Sequence, residues 1–304
     1  MRRLQPTAAA TGLAVALLVG GCAAHGWGAP PHDDPAVTAA APAPLAPPAP
    51  EPPAAPPASF AGLDARIKEA TTEAAASGAE IAVALLDRST GQLLTNGNGR
   101  AYPTASVVKL FIADDLLYRE SRGEIELSAA DRKALDAMLR SSDDGAAQMF
   151  WDRSGGNAVI ARIKARYGLG GVVAPYNSHW DVTQAPMTDL VRYYDMLLSG
   201  AGGLPRDKAD IILGDIAAFT PTGADGYPQR FGIPDGLPGE QVAVKQGWFC
   251  CWNPGRQLHV STGIIGADRR YVMAVGSLDP TTAERARADI TRFVRTMFPD
   301  GRIG

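Results

Sequence analysis

The chain is poor in the residues from which metal sites and nucleic-acid interfaces are built. Its 304 residues include three cysteines and four histidines, and its formal net charge is −3. No two histidines have the spacing of zinc ligands, and the cysteines form no C-x-x-C motif. The nearly balanced charge indicates no basic surface for a phosphate backbone. The sequence therefore predicts no metal, no organic cofactor and no nucleic-acid partner.

An apolar run long enough to span a bilayer is also missing. The run at residues 12–21 follows Arg2 and Arg3 and has the length of a signal peptide. It ends in two glycines before Cys22, which resembles a bacterial lipobox, where the cysteine is diacylated and becomes the mature N-terminus. We therefore expect residues 1–21 to be a lipoprotein signal peptide; the alternative is an ordinary secretory signal that contains a cysteine. Lipid on Cys22 would anchor the chain to the extracytoplasmic face of the cell membrane, since each buried methylene contributes about 0.8 kcal/mol.

Large apolar side chains are scarce between residues 29 and 58, where proline and alanine predominate. A segment of this composition cannot bury a core and is expected to be extended. We therefore predict a Pro/Ala-rich tether over residues 22–58, which lifts a folded domain of residues 59–304 off the membrane.

The folded part changes its hydrophobic period along the chain. Strand patterns occupy residues 81–86, 242–244, 258–265 and 271–275. Helical patterns fill the middle, from Ser106 to about residue 219, and both ends of the domain. This order predicts an α/β fold, in which a mixed antiparallel sheet is covered by helices from both termini and carries a helical subdomain.

The middle region opens with a serine and a lysine three positions apart, Ser106 and Lys109. At that spacing the two side chains fall on one face of a helix. The amine can then take the hydroxyl proton, so the serine becomes a nucleophile without a histidine. The S-x-x-K pattern alone is common, and a plain serine near a helix N-terminus is the alternative.

Two further motifs follow in order: Ser-Asp-Asp at residues 142–144, between two predicted helices, and Lys-Gln-Gly at residues 245–247, on a predicted strand. The three motifs in this order resemble the S-x-x-K, S-D-N and K-T-G set of class A β-lactamases and penicillin-binding proteins. Each also has a plainer interpretation, since residues 142–143 could cap a helix and Lys245 could protect a strand edge from aggregation. Together the motifs imply the β-lactamase/transpeptidase-type fold, with a cleft between the sheet and the helical subdomain.

The resemblance also implies roles for individual residues. The implied catalytic residues are Ser106 (nucleophile), Lys109 (base), Ser142 (proton shuttle to the leaving group) and Lys245 (electrostatic partner). The implied oxyanion and substrate-binding residues are Trp248, Asp144, Gln246 and Gly247. The oxyanion itself would be held by the backbone N–H groups of Ser106 and Trp248.

Several positions depart from the pattern of that family. Asp144 stands where the family usually has asparagine, and a carboxylate near Lys109 is expected to raise the lysine pKa and make it a poorer base. Gln246 replaces a small hydroxyl residue, so we expect a more crowded pocket of different polarity. Thr262 stands where many class A enzymes have an arginine, which removes a second anchor for a substrate carboxylate.

The segment 168–185 contains no glutamate, and Asp181 is its only acid. In class A β-lactamases a glutamate in this loop activates the water that removes the acyl group. Without a placed base, deacylation is expected to be slow, and the chain is expected to be a poor β-lactamase.

Two other features of the C-terminal half leave alternatives open. Cys250 and Cys251 could form a strained vicinal disulfide or remain two buried thiols, and a structural role is favoured over a catalytic one. A catalytic role would need a partner such as His259 across a hairpin. The turn-rich segment 232–239 is expected to shape one wall of the cleft or to be a plain surface loop.

The function that fits these patterns is an exported, lipid-anchored serine hydrolase. It would act by acyl transfer on a cell-wall peptide, a β-lactam or a related acyl compound. The alternative is a catalytically weak module on the same fold that binds the cell wall or a protein partner. The expected partners are the membrane, through lipid on Cys22, and peptidoglycan.

Overall fold

An antiparallel sheet of five strands organises the part of the chain that the computed structural model describes, residues 60–252 and 255–303. The predicted signal peptide, the tether and Cys22 lie outside these residues. The strands are β1 (Glu80–Asp87), β2 (Gln92–Thr95), β3 (Tyr102–Pro103), β4 (Gln184–Ala185), β5 (Val242–Cys250), β6 (Gln257–Ile265) and β7 (Tyr271–Asp279). The main sheet has the order β2-β1-β7-β6-β5, and β3 pairs with β4 separately. Strand β5 therefore lies at a sheet edge.

The helices lie at both ends of the described chain and between β2 and β5. They are α1 (Leu63–Ala76), α2 (Lys109–Ser121), α3 (Ala129–Arg140), α4 (Asp144–Arg153), α5 (Ala158–Tyr167), α6 (Met187–Ser199), α7 (Arg206–Ala217), α8 (Ile233–Gly236) and α9 (Ala283–Met297). Two short 3-10 helices occupy Ala105–Val108 and Trp180–Val182. In the described part of the chain, no helix is both long enough and apolar enough to cross a membrane.

Helices cover both faces of the sheet, and β1 shows why. Its side chains alternate between two cores: Val83 and Leu85 pack with α1 and α9, while Ala82 and Ala84 face the core that contains α2 and α6. Successive side chains of a strand point to opposite faces. A strand covered on both faces therefore reads as one continuous apolar run, as the sequence of β1 does.

Two of the strands are longer than their apolar runs predict. β5 continues to Cys250 and β7 to Asp279, past the ends of the apolar runs at residues 244 and 275. Polar residues such as Ser277 interrupt the apolar pattern of these strands. Antiparallel pairing of both strands with β6 nevertheless carries them to those ends.

Helix α2 is the centre of the helical subdomain. It packs against α3, α4, α5 and α7, and its residues from Lys109 to Leu117 are buried. The helix begins at Lys109, because the preceding turn, including Ser106, is a tighter 3-10 turn. Buried apolar side chains on all sides keep this turn and the start of α2 in a fixed position.

Candidate active site

The 3-10 turn Ala105–Val108 carries the predicted nucleophile, and we call it the nucleophile turn. It places Ser106 directly against Lys109. Lys109 Nζ lies 2.8 Å from Ser106 Oγ, and the two residues are 0% and 6% exposed, respectively. Ala105, the residue before the serine, has φ 45°, in the left-handed region that non-glycine residues rarely adopt. The surrounding core holds this strained conformation in place, a feature that is common at functional sites.

The second motif joins α3 to α4. The Asp143 carboxylate accepts a hydrogen bond of 2.7 Å from the Ala146 N–H and caps α4, so its predicted capping role is confirmed. Ser142 precedes the cap with φ 57°, and its carbonyl oxygen accepts a bond of 2.7 Å from Lys109 Nζ. In this conformation the Ser142 hydroxyl faces Lys245 on strand β5.

The third motif lies on the edge strand β5. Lys245, 1% exposed, donates from Nζ to Ser142 Oγ. Its own carbonyl accepts a bond of 2.8 Å from Thr262 Oγ1 on β6. The structure thus brings Ser106, Lys109, Ser142 and Lys245 together, and we call these four residues the floor of the cleft.

Gly247 allows β5 to lie against the nucleophile turn. A Cβ atom at this position would overlap the carbonyl oxygen of Thr104 and lie 3.2 Å from the backbone nitrogen of Ser106. Only glycine permits so close an approach of two backbones. The strand edge therefore runs beside Ser106, where the oxyanion role of the Ser106 and Trp248 N–H groups stays a prediction.

Burial controls the charge of both lysines of the floor. It lowers the pKa of Lys109, and the adjacent Asp144 carboxylate, 2.5 Å from Nζ, opposes this by raising it. Asp144 raises the Lys109 pKa, as predicted, but the lowering by burial is larger. Burial also holds the pKa of Lys245 well below its usual value, and the charge of Lys109 lowers it further. A neutral Lys109 amine has a lone pair that can accept the Ser106 proton.

Gln246 lies outside the cleft, which differs from its predicted substrate contact. Its buried side chain donates from Nε2 to the carbonyl oxygens of Phe231, at 2.7 Å, and Gln229, at 3.0 Å. Neighbouring side chains on a strand point to opposite sides, so the side that carries Lys245 cannot also carry Gln246. The expected crowding of the pocket by this residue is therefore not observed.

The segment 232–239 does not line the cleft either. It forms the short helix α8, which packs against α9, and the Gly232 N–H donates to Thr291 Oγ1 at 2.9 Å. Asp225, from the preceding loop, lines the cleft instead. That loop is held beside the second motif, because the Ala224 N–H donates to the Ser141 carbonyl oxygen at 2.7 Å.

The cleft above the floor has a volume of about 410 Å³ and opens between the sheet and the helical subdomain. Side chains from α4, two separate loops and β5 surround its mouth. We call the following residues the rim: Gln148, His179, Asp181, Asp225 and Trp248. Of these, only Asp181 and Trp248 are marked by the sequence motifs.

Trp180 is a cleft residue that no motif indicates. Its ring lies 4.7 Å from Lys109 Nζ, a cation–π contact, and its Nε1–H donates to Gln148 Oε1 at 3.2 Å. The turn that carries Trp180 and Asp181 is tied to the nucleophile turn, because the Thr104 N–H donates to the Thr183 carbonyl oxygen at 2.7 Å. No local spacing in the sequence reveals this connection.

Cys250 and Cys251 form a vicinal disulfide, which excludes two buried thiols. Both residues are exposed at the end of β5. His259 does not pair with them; its Nε2 lies 2.6 Å from the hydroxyl of Tyr227. A structural role for the cysteines is thus consistent with their bonding.

Comparison with known proteins identifies relatives in both sequence and structure, although no protein-family model matches the chain. The lipoprotein LppW of Mycobacterium tuberculosis and that of Mycobacterium bovis are each 57% identical over 244 residues, or 80% of this chain and 77% of theirs. Among solved structures, a β-lactamase from Chitinophaga pinensis has a TM-score of 0.63 at 15% identity, covering 78% of this chain and 100% of its own.

Two other solved structures show the same fold. The TLA-1 extended-spectrum β-lactamase has a TM-score of 0.65 at 15% identity, covering 78% of this chain and 98% of its own. A PBP-A mutant, in an acyl-enzyme complex with penicillin G, has a TM-score of 0.64 at 18% identity, covering 79% of this chain and 96% of its own. The chain therefore belongs to the LppW lipoprotein family and has the β-lactamase-like fold.

Proposed function

We propose that this protein is a lipid-anchored serine hydrolase that forms an acyl-enzyme on Ser106. Its substrate class is a cell-wall peptide, a β-lactam or a related acyl compound. The observation that carries the proposal is the 2.8 Å contact of Ser106 Oγ with Lys109 Nζ at the bottom of an open cleft. A buried lysine in contact with a serine is an arrangement that activates the hydroxyl.

The first step is attack on the substrate carbonyl. Neutral Lys109 takes the proton of the Ser106 hydroxyl, and Oγ forms a bond to the carbonyl carbon while the carbonyl electrons move to oxygen. Two backbone N–H groups beside Gly247 would hold the resulting oxyanion. Because the turn and the edge strand are already in contact, little reorganisation is needed.

The second step is departure of the leaving group. Lys245 donates a hydrogen bond to Ser142 Oγ, so the hydroxyl proton of Ser142 is available to the leaving nitrogen or oxygen. The carbonyl re-forms as the bond from the acyl carbon to the leaving atom breaks, and the acyl group remains on Ser106 as an ester. Ser142 regains the proton that Lys109 took from Ser106 in the first step. The buried lysines thereby complete the proton transfer without a histidine.

Removal of the acyl group is expected to be slow. No glutamate occurs in residues 168–185, and the only acid of that segment, Asp181, lies at the rim. A shorter carboxylate reaches less far toward a water beside the ester. The proposed enzyme therefore accumulates as an acyl-enzyme rather than turning over rapidly.

The proposal includes anchoring through lipid on Cys22. Its support is the sequence before Cys22 and the lipoprotein name of the relatives. Growth with an alkyne fatty acid should label the wild-type protein and leave the Cys22→Ala variant unlabelled. Equal labelling of the two would contradict lipidation at this residue.

Intact-mass analysis tests the catalytic proposal. We expect exposure to a fluorophosphonate and to a penicillin to add one adduct each, located on Ser106 and absent in Ser106→Ala. Ser121→Ala, which changes an exposed serine at the end of α2, is the matched control and should label like the wild type. No adduct with either probe, or an adduct that persists in Ser106→Ala, would overturn the proposal.

A second candidate function is a wall-binding module without catalysis. It is favoured by the ion pair of Asp144 with Lys109, which stabilises the charged amine that cannot act as a base. This function predicts retention on peptidoglycan with no adduct on Ser106. An adduct formed in the same preparation would exclude it as the sole function.

A further inference from the structure

The rim of the cleft is acidic, whereas the cations lie beneath it. Asp181 and Asp225 line the mouth, and Asp144 lies between the rim and the floor. The lysines of the floor are 0% and 1% exposed. Within residues 60–252 and 255–303, no arginine or lysine lines the cleft.

The rim carboxylates form no direct ion pair in the described part of the chain, although the charge of Asp225 acts on the Lys109 amine beneath it. Asp225 accepts hydrogen bonds from neutral donors, the Tyr227 N–H at 2.9 Å and the Trp248 Nε1–H at 3.2 Å. Neither Asp225 nor Asp181 forms an ion pair with a described residue. Their negative charges are therefore available to a ligand that enters the cleft.

Aromatic rings stand beside these carboxylates. The Trp180 ring already contacts one amine nitrogen, that of Lys109, at 4.7 Å. Trp248 is held in place, because it stacks on Tyr227 with ring centroids 4.9 Å apart while its Nε1–H bonds to Asp225. A ring with an adjacent carboxylate is a combination that binds ammonium groups.

The cleft also lacks an anchor for a substrate carboxylate. Gln246 points away from it, and the Thr262 hydroxyl is bonded to Tyr194 and to the Lys245 carbonyl oxygen. The cation that lies behind the rim, Arg287 on α9, stacks over the Tyr227 ring at 4.7 Å and does not line the cleft.

We propose that the cleft selects substrates that carry a protonated amine close to the reacting acyl group, in preference to substrates that carry a carboxylate there. This inference rests on the proposed acyl transfer at Ser106, whose contact with Lys109 is the independent reason to expect a ligand in the cleft. The amine of the substrate lies against Asp225 and Trp248 while its acyl carbon reaches Ser106. A peptide with a free amino group on a side chain is a substrate of this class.

Three peptide thioesters test the inference on the folded protein. They share one backbone and differ at one side chain, which is lysine, Nε-acetyl-lysine or glutamate. The second-order rate of Ser106 acylation, followed by thiol release and intact mass, is expected to be about tenfold higher for lysine than for acetyl-lysine and lowest for glutamate. The preference should shrink in 1 M salt, where the Debye length is about 3 Å.

Variants of the rim identify the residues responsible. Asp225→Asn and Asp181→Asn should each reduce the ratio of the lysine rate to the acetyl-lysine rate. The matched control Asp207→Asn, an exposed carboxylate on α7, should leave that ratio unchanged. If both rim variants keep the wild-type ratio, the assignment to these carboxylates is wrong.

The remaining outcomes separate this inference from the proposed function. Equal rates for the three thioesters, or the highest rate for glutamate, overturn the charge preference while leaving acyl transfer intact. If none of the thioesters, nor the fluorophosphonate, acylates Ser106, the proposed function fails and the inference fails with it.

Discussion

The floor and the rim of the cleft are built in different ways. Each floor side chain is buried and bonded to another floor residue. All four belong to short motifs, which lie on the 3-10 turn and the start of α2, on β5 and in the connection between α3 and α4. The rim residues come mostly from loops, and Asp181 and Asp225 have no ionic partner among the described residues. This difference indicates that the residues that react with a substrate and the residues that select it are separate parts of the chain.

The largest effect should come from removing the lysine base from the floor. Lys109→Met removes the base and fills the buried space with an apolar side chain, so acylation of Ser106 should slow at least about a hundredfold. Stopped-flow labelling with a fluorophosphonate measures this, and thermal unfolding checks that the variant folds. The control Lys133→Met changes an exposed lysine on α3 and should keep the wild-type rate. A Lys109→Met rate within a few-fold of wild type would contradict the role of the floor.

The next prediction concerns the contact between the edge strand β5 and the nucleophile turn. Gly247→Ala places a methyl group against the Thr104 carbonyl oxygen, so β5 must move away from the nucleophile turn. We expect a loss of about 1–3 kcal/mol in the free energy of unfolding and at least about a tenfold slower acylation. Gly214→Ala, on α7 with nothing within 4 Å of the added methyl group, is the control and should not destabilise the protein. Wild-type stability of Gly247→Ala would refute the close approach.

Asp144 pairs with Lys109 of the floor and also lines the cleft. Its replacement therefore tests how far a carboxylate in the cleft limits the base in the floor. In Asp144→Asn the Lys109 amine loses a carboxylate at 2.5 Å, so its pKa falls further and more of it is neutral. Acylation near neutral pH should become faster, because a larger fraction of the Lys109 amine is then neutral. Single-turnover acylation by a fluorescent penicillin measures the change. An unchanged or slower rate would show that Asp144 does not limit the base.

The remaining prediction concerns stability alone and lies behind the rim, at His259. Burial, with a smaller contribution from Arg287, lowers the His259 pKa to about 3. The unfolded residue titrates near pH 6.5, so between pH 6.5 and about 3 the unfolded chain binds the extra proton. The folded state should lose about 1.4 kcal/mol per pH unit from this residue on acidification through that range.

Urea unfolding at several pH values tests the His259 prediction. The variant His259→Gln removes the titrating group and keeps a partner for the Tyr227 hydroxyl, so its stability should fall less steeply between pH 6.5 and 4.5 than that of the wild type. Other acids titrate in both proteins, and the difference between the two slopes isolates His259. Parallel slopes would mean that His259 binds its proton as readily in the folded protein as in the unfolded chain, which would contradict the lowered pKa.

The floor could be predicted from the sequence because each of its motifs is short and local in the chain. A helical spacing of three joins Ser106 to Lys109, and the order of the motifs indicates a fold that brings Ser142 and Lys245 to them. The fold class was predictable for a related reason, since apolar runs such as that of β1 distinguish buried strands from helices.

The rim could not be predicted, because long-range contacts between loops decide it. Asp225 reaches the cleft through a bond from Ala224 to Ser141, and Trp180 through the bond between Thr104 and Thr183. The direction of the Gln246 side chain depends on which side of β5 faces the cleft, and residue types alone do not determine that side. The net pKa shift of Lys109 likewise depends on its burial, which outweighs the Asp144 charge that the sequence reveals.

The pH dependence of Ser106 acylation tests the central claim most directly. Only the neutral Lys109 amine can take the serine proton, so the rate should rise with pH through the Lys109 pKa and then level off. Because burial lowers that pKa, the account predicts a midpoint below the ordinary lysine value of about 10.4, which moves lower still in Asp144→Asn. A midpoint at the ordinary lysine value, or a rate that does not change with pH, would contradict a buried lysine as the base.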